Sequence, residues 1–206
     1  LLDTLGRPAE ALGPLRRSAA GRPNAAVLCA QARIYMRLGR YDEALRSADR
    51  AVSAAGASRS RDNPVESLLT RGRVREVVGE WAEALDDYRM AVALFEGASR
   101  TSERPPHVDL YVLLLRTGRL EEAGSVWDRL LTAMPASTAP KSGRMAQMLL
   151  AYRSVLLGRG DDGLPHARRA TELAATERNP LHQALSTMYA GVLTVQAGRR
   201  AEGIGV

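Results

Sequence analysis

Few residues of this chain have the type and spacing that catalysis requires. The strongest candidates for nucleophilic, acid–base or metal chemistry are one cysteine, three histidines and two adjacent aspartate pairs, namely Cys29, His107, His166, His182, residues 86–87 and residues 161–162. No potential metal ligand follows any of the histidines by three or four residues, the spacing that would place two ligands on one helix face. Adjacent aspartates on a helix point about 100° apart and cannot converge on one substrate proton. We therefore expect Cys29 to be a packing residue and predict no metal site, no cofactor and no catalysis.

The motifs of several enzyme and membrane classes are also missing. The chain has no Gly-x-Ser-x-Gly elbow, no Gly-Lys-Ser/Thr phosphate loop and no His-Glu-x-x-His sequence. A single cysteine excludes an internal disulfide framework. No run of about 18 apolar residues could cross a membrane. We expect a cytoplasmic protein without membrane contact.

The net charge of +6, from 29 basic and 23 acidic residues, raises the question of nucleic-acid binding. The basic residues are spread along the chain, and all except Lys141 are arginines. The nine Phe, Trp and Tyr residues do not alternate with basic residues, as the stacking platforms of single-strand binders require. We therefore expect no direct nucleic-acid binding by this chain.

A glycine recurs through the whole sequence at nearly constant spacing. Intervals of 33, 40, 39, 40 and 40 residues separate Gly6, Gly39, Gly79, Gly118, Gly158 and Gly198. The residue five positions after each glycine is small, and the residue seven positions before it is small in four of five cases. Apolar residues at helical spacing precede and follow each glycine. This register predicts that each glycine ends one helix and that small residues let two helices cross closely.

The pattern predicts an all-α fold of antiparallel helix pairs, and the family resemblance described below implies that they form a right-handed α-solenoid. We predict helices over residues 8–20, 24–38, 41–55, 64–78, 81–97, 106–117, 120–134, 143–157, 162–175 and 180–197. They form one solenoid over residues 1–206, with partial units at 1–23 and 180–206 and full units at 24–62, 63–103, 104–142 and 143–179. Because both terminal units are incomplete, we expect the chain to be part of a longer polypeptide.

The stretch Leu38-Gly39-Arg40-Tyr41-Asp42-Glu43-Ala44-Leu45 resembles the tetratricopeptide repeat. Gly72, Gly79, Ala84, Tyr88 and Ala91 fit the same motif in the next unit, and Gly118, Ala123, Trp127 and Pro135 fit it in the third. The resemblance implies a superhelix whose first helices line a concave, protein-binding groove. Units of about 40 residues are similar to those of bacterial transcriptional regulators and signalling ATPases.

Transferring the family's groove positions to this sequence gives a polarised set of candidate residues. The first part is charged and the later part is apolar or aromatic; the candidates are Arg33, Arg37, Glu66, Arg73, Glu76, Val112, Met145, Met148, Tyr152 and Met188. The hypothesis is that a protein or peptide partner places an acidic group near Arg33 and Arg73 and an apolar segment on the later part. The alternative is that the methionines and valines are ordinary core residues or are covered by repeat units missing from this sequence.

The leading functional interpretation is a non-catalytic protein-interaction scaffold, the sensor or docking region of a larger bacterial transcriptional regulator. Two alternatives remain open at this point. One is an accessory segment of a protease- or ATPase-bearing chain. The other is a stand-alone oligomeric adaptor, and the sequence leaves the oligomeric state undetermined.

Overall fold

The fold consists of α-helices joined by short turns. A computed structural model describes residues 12–15, 17, 24–57, 63–98, 104–133, 139–177 and 180–198. Within these residues there are no strands, and the helices after residue 24 are α1 (Ala25–Arg37), α2 (Tyr41–Ala57), α3 (Pro64–Val78), α4 (Trp81–Gly97), α5 (His107–Arg116), α6 (Leu120–Ala133), α7 (Ala139–Leu156), α8 (Gly160–Thr176) and α9 (Pro180–Gln196). The predicted all-α class of paired helices is confirmed.

In the part of the chain that the structure describes, the recurring glycines from Gly39 onward follow the ends of the first helices, as predicted. Gly39 and Gly79 adopt left-handed backbone angles, with φ of +70° and +90°. The amide of Arg40 donates to the carbonyl of Tyr35 at 2.9 Å, and that of Glu80 donates to the carbonyl of Arg75 at the same distance. These hydrogen bonds, which each enclose six residues, define a Schellman motif. The motif needs one residue in the left-handed conformation, which only glycine adopts without strain. The tight turn folds the second helix back onto the first.

Side-chain caps fix where two of the first helices begin. The Asn24 Oδ1 accepts a hydrogen bond from the amide of Ala26 at 2.8 Å. The Asn63 Oδ1 accepts one from the amide of Val65 at 3.2 Å, and Pro64 occupies the first helical position. These contacts satisfy amide groups that have no partner within the helix. The predicted start at Asn63-Pro64 is confirmed, whereas Asn179 lies outside the described residues.

Small residues lie at the helix crossings. Ala44, Ala84 and Ala123, each five residues after a turn glycine, are fully buried or nearly so. At Gly72 the fit is closer still, because a Cβ atom there would lie 2.8 Å from Cδ1 of Tyr88. The glycine therefore makes room for the tyrosine ring of the paired helix. Gly6, Ala11 and Gly203 lie outside the described residues.

The chain divides into two compact units, Leu1–Arg100 and Thr101–Val206. In the first unit α1 packs on α2, α3 packs on α4, and α3 also packs on α1 and α2. Its core includes Ala32, Ile34, Tyr35, Ala48 and Val74. The helices thus pack with their sequence neighbours and with the equivalent helix of the next pair, the arrangement of a helical repeat array.

The second unit contains α5 to α9. In it α5 packs on α6, α7 packs on α8, and α9 packs on both α7 and α8. Its core includes Ala151, Leu164, Ala167, Ala190 and Leu193.

Two details of the second unit differ from the sequence-based expectations. Helix α7 begins at Ala139 rather than at residue 143, because a proline is compatible with the first turn of a helix. Helix α8 begins at Gly160 rather than at residue 162 and runs unbroken through Gly163. A Cβ at Gly163 would lie 2.7 Å from Cδ2 of Leu193, so the glycine permits close packing of α9 on α8.

Candidate partner-binding faces

The first helices of the first unit present charged side chains to solvent. We call Arg33, Arg37, Glu66, Arg73 and Glu76, which lie on α1 and α3, the charged face. The Arg33 Nη1 lies 2.9 Å from the Glu66 Oε1, and both side chains are 43% exposed. The two residues are 33 positions apart in sequence and meet because α1 and α3 are equivalent helices of adjacent pairs. The structure therefore brings these two predicted residues together as an ion pair that remains accessible.

The other members of the charged face are placed differently. Arg37 is exposed in the last turn of α1, and Arg73 is partly exposed on α3. The Glu76 Oε2 accepts a hydrogen bond from the Tyr88 hydroxyl at 3.0 Å. Glu76 is therefore anchored to the paired helix α4, whereas Arg37 and the Arg33–Glu66 pair lie open to solvent.

The corresponding positions of the second unit carry apolar and aromatic side chains. We call Val112 on α5, Met145, Met148 and Tyr152 on α7, and Met188 on α9 the apolar face. All except Met188 are partly buried, whereas Met188 is 51% exposed. The rings of Tyr152 and Tyr189 meet edge-on with centroids 6.0 Å apart. The Arg144 Nη1 also lies 3.0 Å from the sulfur of Met148, so neighbours within the unit hold two predicted residues in place.

Sequence reasoning missed a buried ionic cluster in the first unit. The carboxylate of Asp87 on α4 is nearly inaccessible and accepts hydrogen bonds from Arg71 at 2.7 Å and Arg75 at 2.8 Å. The Arg71 Nη1 also reaches Asp49 on α2 at 3.3 Å. The cluster joins α2, α3 and α4, and its role is structural because its acceptor is enclosed by the arginines that neutralise it. The adjacent pair Asp86–Asp87 was correctly predicted not to converge on one site.

A second buried cluster joins three helices of the second unit. The Arg144 Nε donates to the Glu177 Oε1 at 2.9 Å, and the His182 Nδ1 lies 2.7 Å from the Glu177 Oε2. Because a carboxylate only accepts hydrogen bonds, Nδ1 of His182 carries the shared proton. Burial alone would raise the pKa of Glu177, but the hydrogen bonds from Arg144 and His182 lower it below its usual value. This cluster ties α7, the end of α8 and the start of α9 together.

The cysteine and two of the histidines lie within the helix packing. Cys29 is buried, with its sulfur 3.7 Å from the hydroxyl of Ser67. His107 is fully buried, and the Nδ1 of His166 lies 2.8 Å from the Gln147 Oε1. Within the part of the chain that the structure describes, no group of three His, Cys, Asp or Glu side chains is arranged to hold a metal ion. None of the described helices is long and apolar enough to cross a membrane.

Comparison with known proteins identifies the repeat. Residues 23–97 match the family model described as tetratricopeptide repeat. The match spans α1 to α4, the helix pairs that carry Gly39, Gly72, Gly79 and the interlocked Tyr88. The first of the two compact units thus carries the match to the tetratricopeptide repeat. No curated protein matches it in sequence.

Solved structures show a similar fold over nearly the whole chain. A tetratricopeptide repeat protein from Parabacteroides merdae matches with a TM-score of 0.67 and 18% identity, covering 99% of this chain and 72% of that one. BtubC from P. vanneervenii matches with a TM-score of 0.73 and 13% identity, covering 97% and 85%. YrrB, described as a tetratricopeptide-repeat protein with an unusual peptide-binding site, has a TM-score of 0.51 and 16% identity, covering 93% and 87%. At these identities the likeness concerns the fold alone.

Proposed function

We propose that this tetratricopeptide-repeat chain is a non-catalytic scaffold that binds a protein or peptide segment on the exposed faces of its first helices. The observation that carries the proposal is the Arg33–Glu66 pair. Its ions are held 2.9 Å apart, yet each side chain stays 43% exposed on the face that α1 and α3 share. Because a pair so exposed stabilises a fold by at most about 1 kcal/mol, its charges remain available to a ligand.

The charged face offers hydrogen-bond donors to an acidic partner. A guanidinium has five N–H donors, and the contact with Glu66 engages one nitrogen of Arg33. A partner carboxylate could therefore bind Arg33 without displacing Glu66, with Arg37 adding positive charge on the same helix. Charge-assisted hydrogen bonds of this kind are shorter and stronger than neutral ones.

The apolar face suits a less polar part of the same partner. Met145, Met148 and Met188 have flexible, polarisable side chains that adapt to different surfaces. Tyr152 adds a flat ring whose orientation is fixed by the edge contact with Tyr189. An amphipathic helix or extended segment could lay its apolar side chains on this face.

Charge reversal on the charged face tests the proposal. The double variant Arg33→Glu/Arg73→Glu should weaken partner binding at least about tenfold, because it replaces two cations with anions opposite an acidic ligand. Arg50→Glu is the control variant, since Arg50 is exposed on the second helix α2 of the same unit. Affinity is measured by titration of a partner first recovered on wild-type protein. Equal affinities of the wild type and both variants would refute the charged face as the binding surface.

The cellular context is a further part of this proposal. We propose that the chain is the sensor or docking region of a larger cytoplasmic bacterial transcriptional regulator, without contact to nucleic acid or membrane through these residues. The support is the resemblance of its 39- to 40-residue glycine spacing to the repeats of such regulators. A helix-turn-helix module in the full-length polypeptide would support this context. A protease or ATPase domain there would favour the accessory-segment alternative.

A further inference from the structure

Arg144, near the start of α7, is a buried arginine with unused hydrogen-bond donors. Its side chain is 6% exposed. Its Nε donates to both oxygens of Glu177, at 2.9 and 3.0 Å. Its Nη1 lies 3.0 Å from the sulfur of Met148, and within the described residues its Nη2 donates no hydrogen bond. Glu177 therefore engages one nitrogen of the guanidinium, and neither terminal nitrogen has an oxygen acceptor among the described residues.

The contact with Met148 is a poor substitute for an oxygen acceptor. A guanidinium has five N–H donors, whereas a thioether sulfur accepts hydrogen bonds only weakly. A donor that has lost water on burial without gaining a good acceptor costs free energy. The pair with Glu177 therefore does not satisfy this side chain, and an oxygen placed at its terminal nitrogens would be bound favourably.

Both terminal nitrogens lie beside the apolar face. The Nη1 contacts Met148, a half-buried member of that face one helical turn after Arg144. The Nη2 is not fully enclosed, although most of the side chain is. Because a methionine side chain is flexible, a small displacement of the thioether would open both nitrogens to a ligand on the apolar face.

The surrounding helices favour a negatively charged ligand at this position. Neither α7 nor α9 contains an Asp or Glu residue. Glu177, which pairs with Arg144, also accepts from the Nδ1 of His182 at 2.7 Å. One carboxylate thus serves a guanidinium and an imidazole together, so hydrogen-bond donors are in excess in this cluster.

We propose that Arg144 binds the carboxylate of an Asp or Glu side chain on the segment that occupies the apolar face. The thioether of Met148 covers the guanidinium until that side chain arrives. The carboxylate then accepts hydrogen bonds from Nη1 and Nη2, while Nε keeps its contact with Glu177. This inference rests on the proposed function, since it names one chemical group of the segment that the apolar face binds.

A side-chain carboxylate fits this position better than an amide or a phosphate. Its two oxygens match two guanidinium nitrogens in one plane, whereas an amide carbonyl offers one oxygen. The carboxylate of Glu177 lies within 3.0 Å of the same guanidinium. A phosphate with nearly two negative charges would therefore meet stronger repulsion than a carboxylate with one.

Two tripeptides that differ in one charge provide the probes. They are acetyl-Leu-Glu-Leu-amide and the same peptide with Gln at the centre. The protein is labelled with carbon-13 in its methionine methyl groups, so that Met148 reports on α7 by NMR. Met90, exposed on α4 in the other compact unit, is the reference signal. We expect the Glu peptide to shift the Met148 signal saturably, with a dissociation constant about fivefold or more below that of the Gln peptide.

A conservative substitution tests whether Arg144 is the origin of this preference. Arg144→Lys keeps a cation beside Glu177 but has a single nitrogen, which cannot hold two carboxylates in the same way. Its preference for the Glu peptide should be lost. Arg153→Lys is the matched control, because Arg153 is exposed on the same helix, and its preference should equal that of the wild type. Circular dichroism confirms that each variant is folded.

Two results would overturn the inference and leave the apolar face as a binding surface. One is equal affinity of the wild type for the two peptides, a comparison that needs no variant. The other is a preference for the Glu peptide that persists in Arg144→Lys. If neither peptide shifts the Met148 signal, or both shift Met90 instead, the apolar face fails as well. The charged face lies on other helices, so its failure would leave these titrations unchanged.

Discussion

At the scale of single residues, the strongest polar contacts of this chain are structural. Asp87 holds Arg71 and Arg75 within 2.8 Å in a nearly inaccessible position. Asp87→Asn removes the negative charge that both guanidinium groups share, and leaves Arg71 with the longer contact to Asp49 at 3.3 Å and Arg75 with Glu80 at 3.7 Å. We expect the free energy of unfolding to fall by about 3 kcal/mol, as is typical when one partner of a buried pair is lost. Urea unfolding followed by circular dichroism measures the change.

The neighbouring residue supplies the control. Asp86 is 75% exposed and pairs with Arg89 across one helical turn at 3.2 Å. Asp86→Asn should change the free energy of unfolding by less than about 0.5 kcal/mol, because exposed pairs of this kind contribute little. Similar decreases in the free energy of unfolding of the two variants would show that burial does not strengthen the ion pairs of Asp87.

The Arg144–Glu177–His182 cluster makes a prediction about pH. The pKa of Glu177 is lower in the folded chain than its ordinary value of 4.5, because its hydrogen bonds outweigh the effect of burial. Its stabilising contribution is therefore present above about pH 4.5 and is lost as the pH falls through the lower, folded-state pKa. The Glu177→Gln variant should lack the loss of stability that protonation of Glu177 causes in the wild type. Unfolding free energies measured between pH 7 and pH 3 should show the difference between the two proteins shrinking as the pH falls.

Neither ionic cluster could be predicted from the sequence. Arg71 and Asp87 are 16 positions apart, and Arg144 and Glu177 are 33 apart. Their pairing depends on how one helix is rotated against the next, and no local pattern encodes that rotation. By contrast, the Asn63 cap was predictable because its bond to Val65 spans only two residues.

At the scale of helices, glycine has opposite roles at two helical positions. Gly72→Ala adds a Cβ that would lie 2.8 Å from the Tyr88 ring. We expect it to lower the free energy of unfolding by about 1 to 3 kcal/mol, despite the better helix propensity of alanine. Gly124→Ala meets open space and should raise it by up to about 1 kcal/mol. Stabilisation in both variants would contradict the close crossing of α3 and α4.

Most helix positions were predictable because two signals agree in every pair. The turn glycine marks the end of the first helix. The small residue five positions later marks the point where the second helix crosses the first. Helix α7 was the exception at its start. Its beginning at Ala139 differs from the predicted start at residue 143, because Pro140 is as compatible with the first turn of a helix as with a loop.

At the scale of the whole molecule, the repeated helix pairs that the structure describes present the exposed faces of their first helices as candidate binding surfaces. The sequence predicted which faces of the first helices to consider, because their positions follow from the turn glycines. It could not predict that Arg33 pairs with Glu66, nor that Tyr88 anchors Glu76, since both contacts join separate helices. We propose acidic groups on the partner for the charged face and an apolar segment for the apolar face.

Hydrogen exchange of the partner-bound chain, analysed by mass spectrometry, tests the scaffold proposal most directly. If a partner binds the charged face, amide exchange should slow in α1 and α3, which carry Arg33, Glu66 and Arg73. Exchange in the second helices α2 and α4 should change little. Protection confined to α2 and α4, or no protection in the first unit at all, would contradict the proposal that first helices bind the partner.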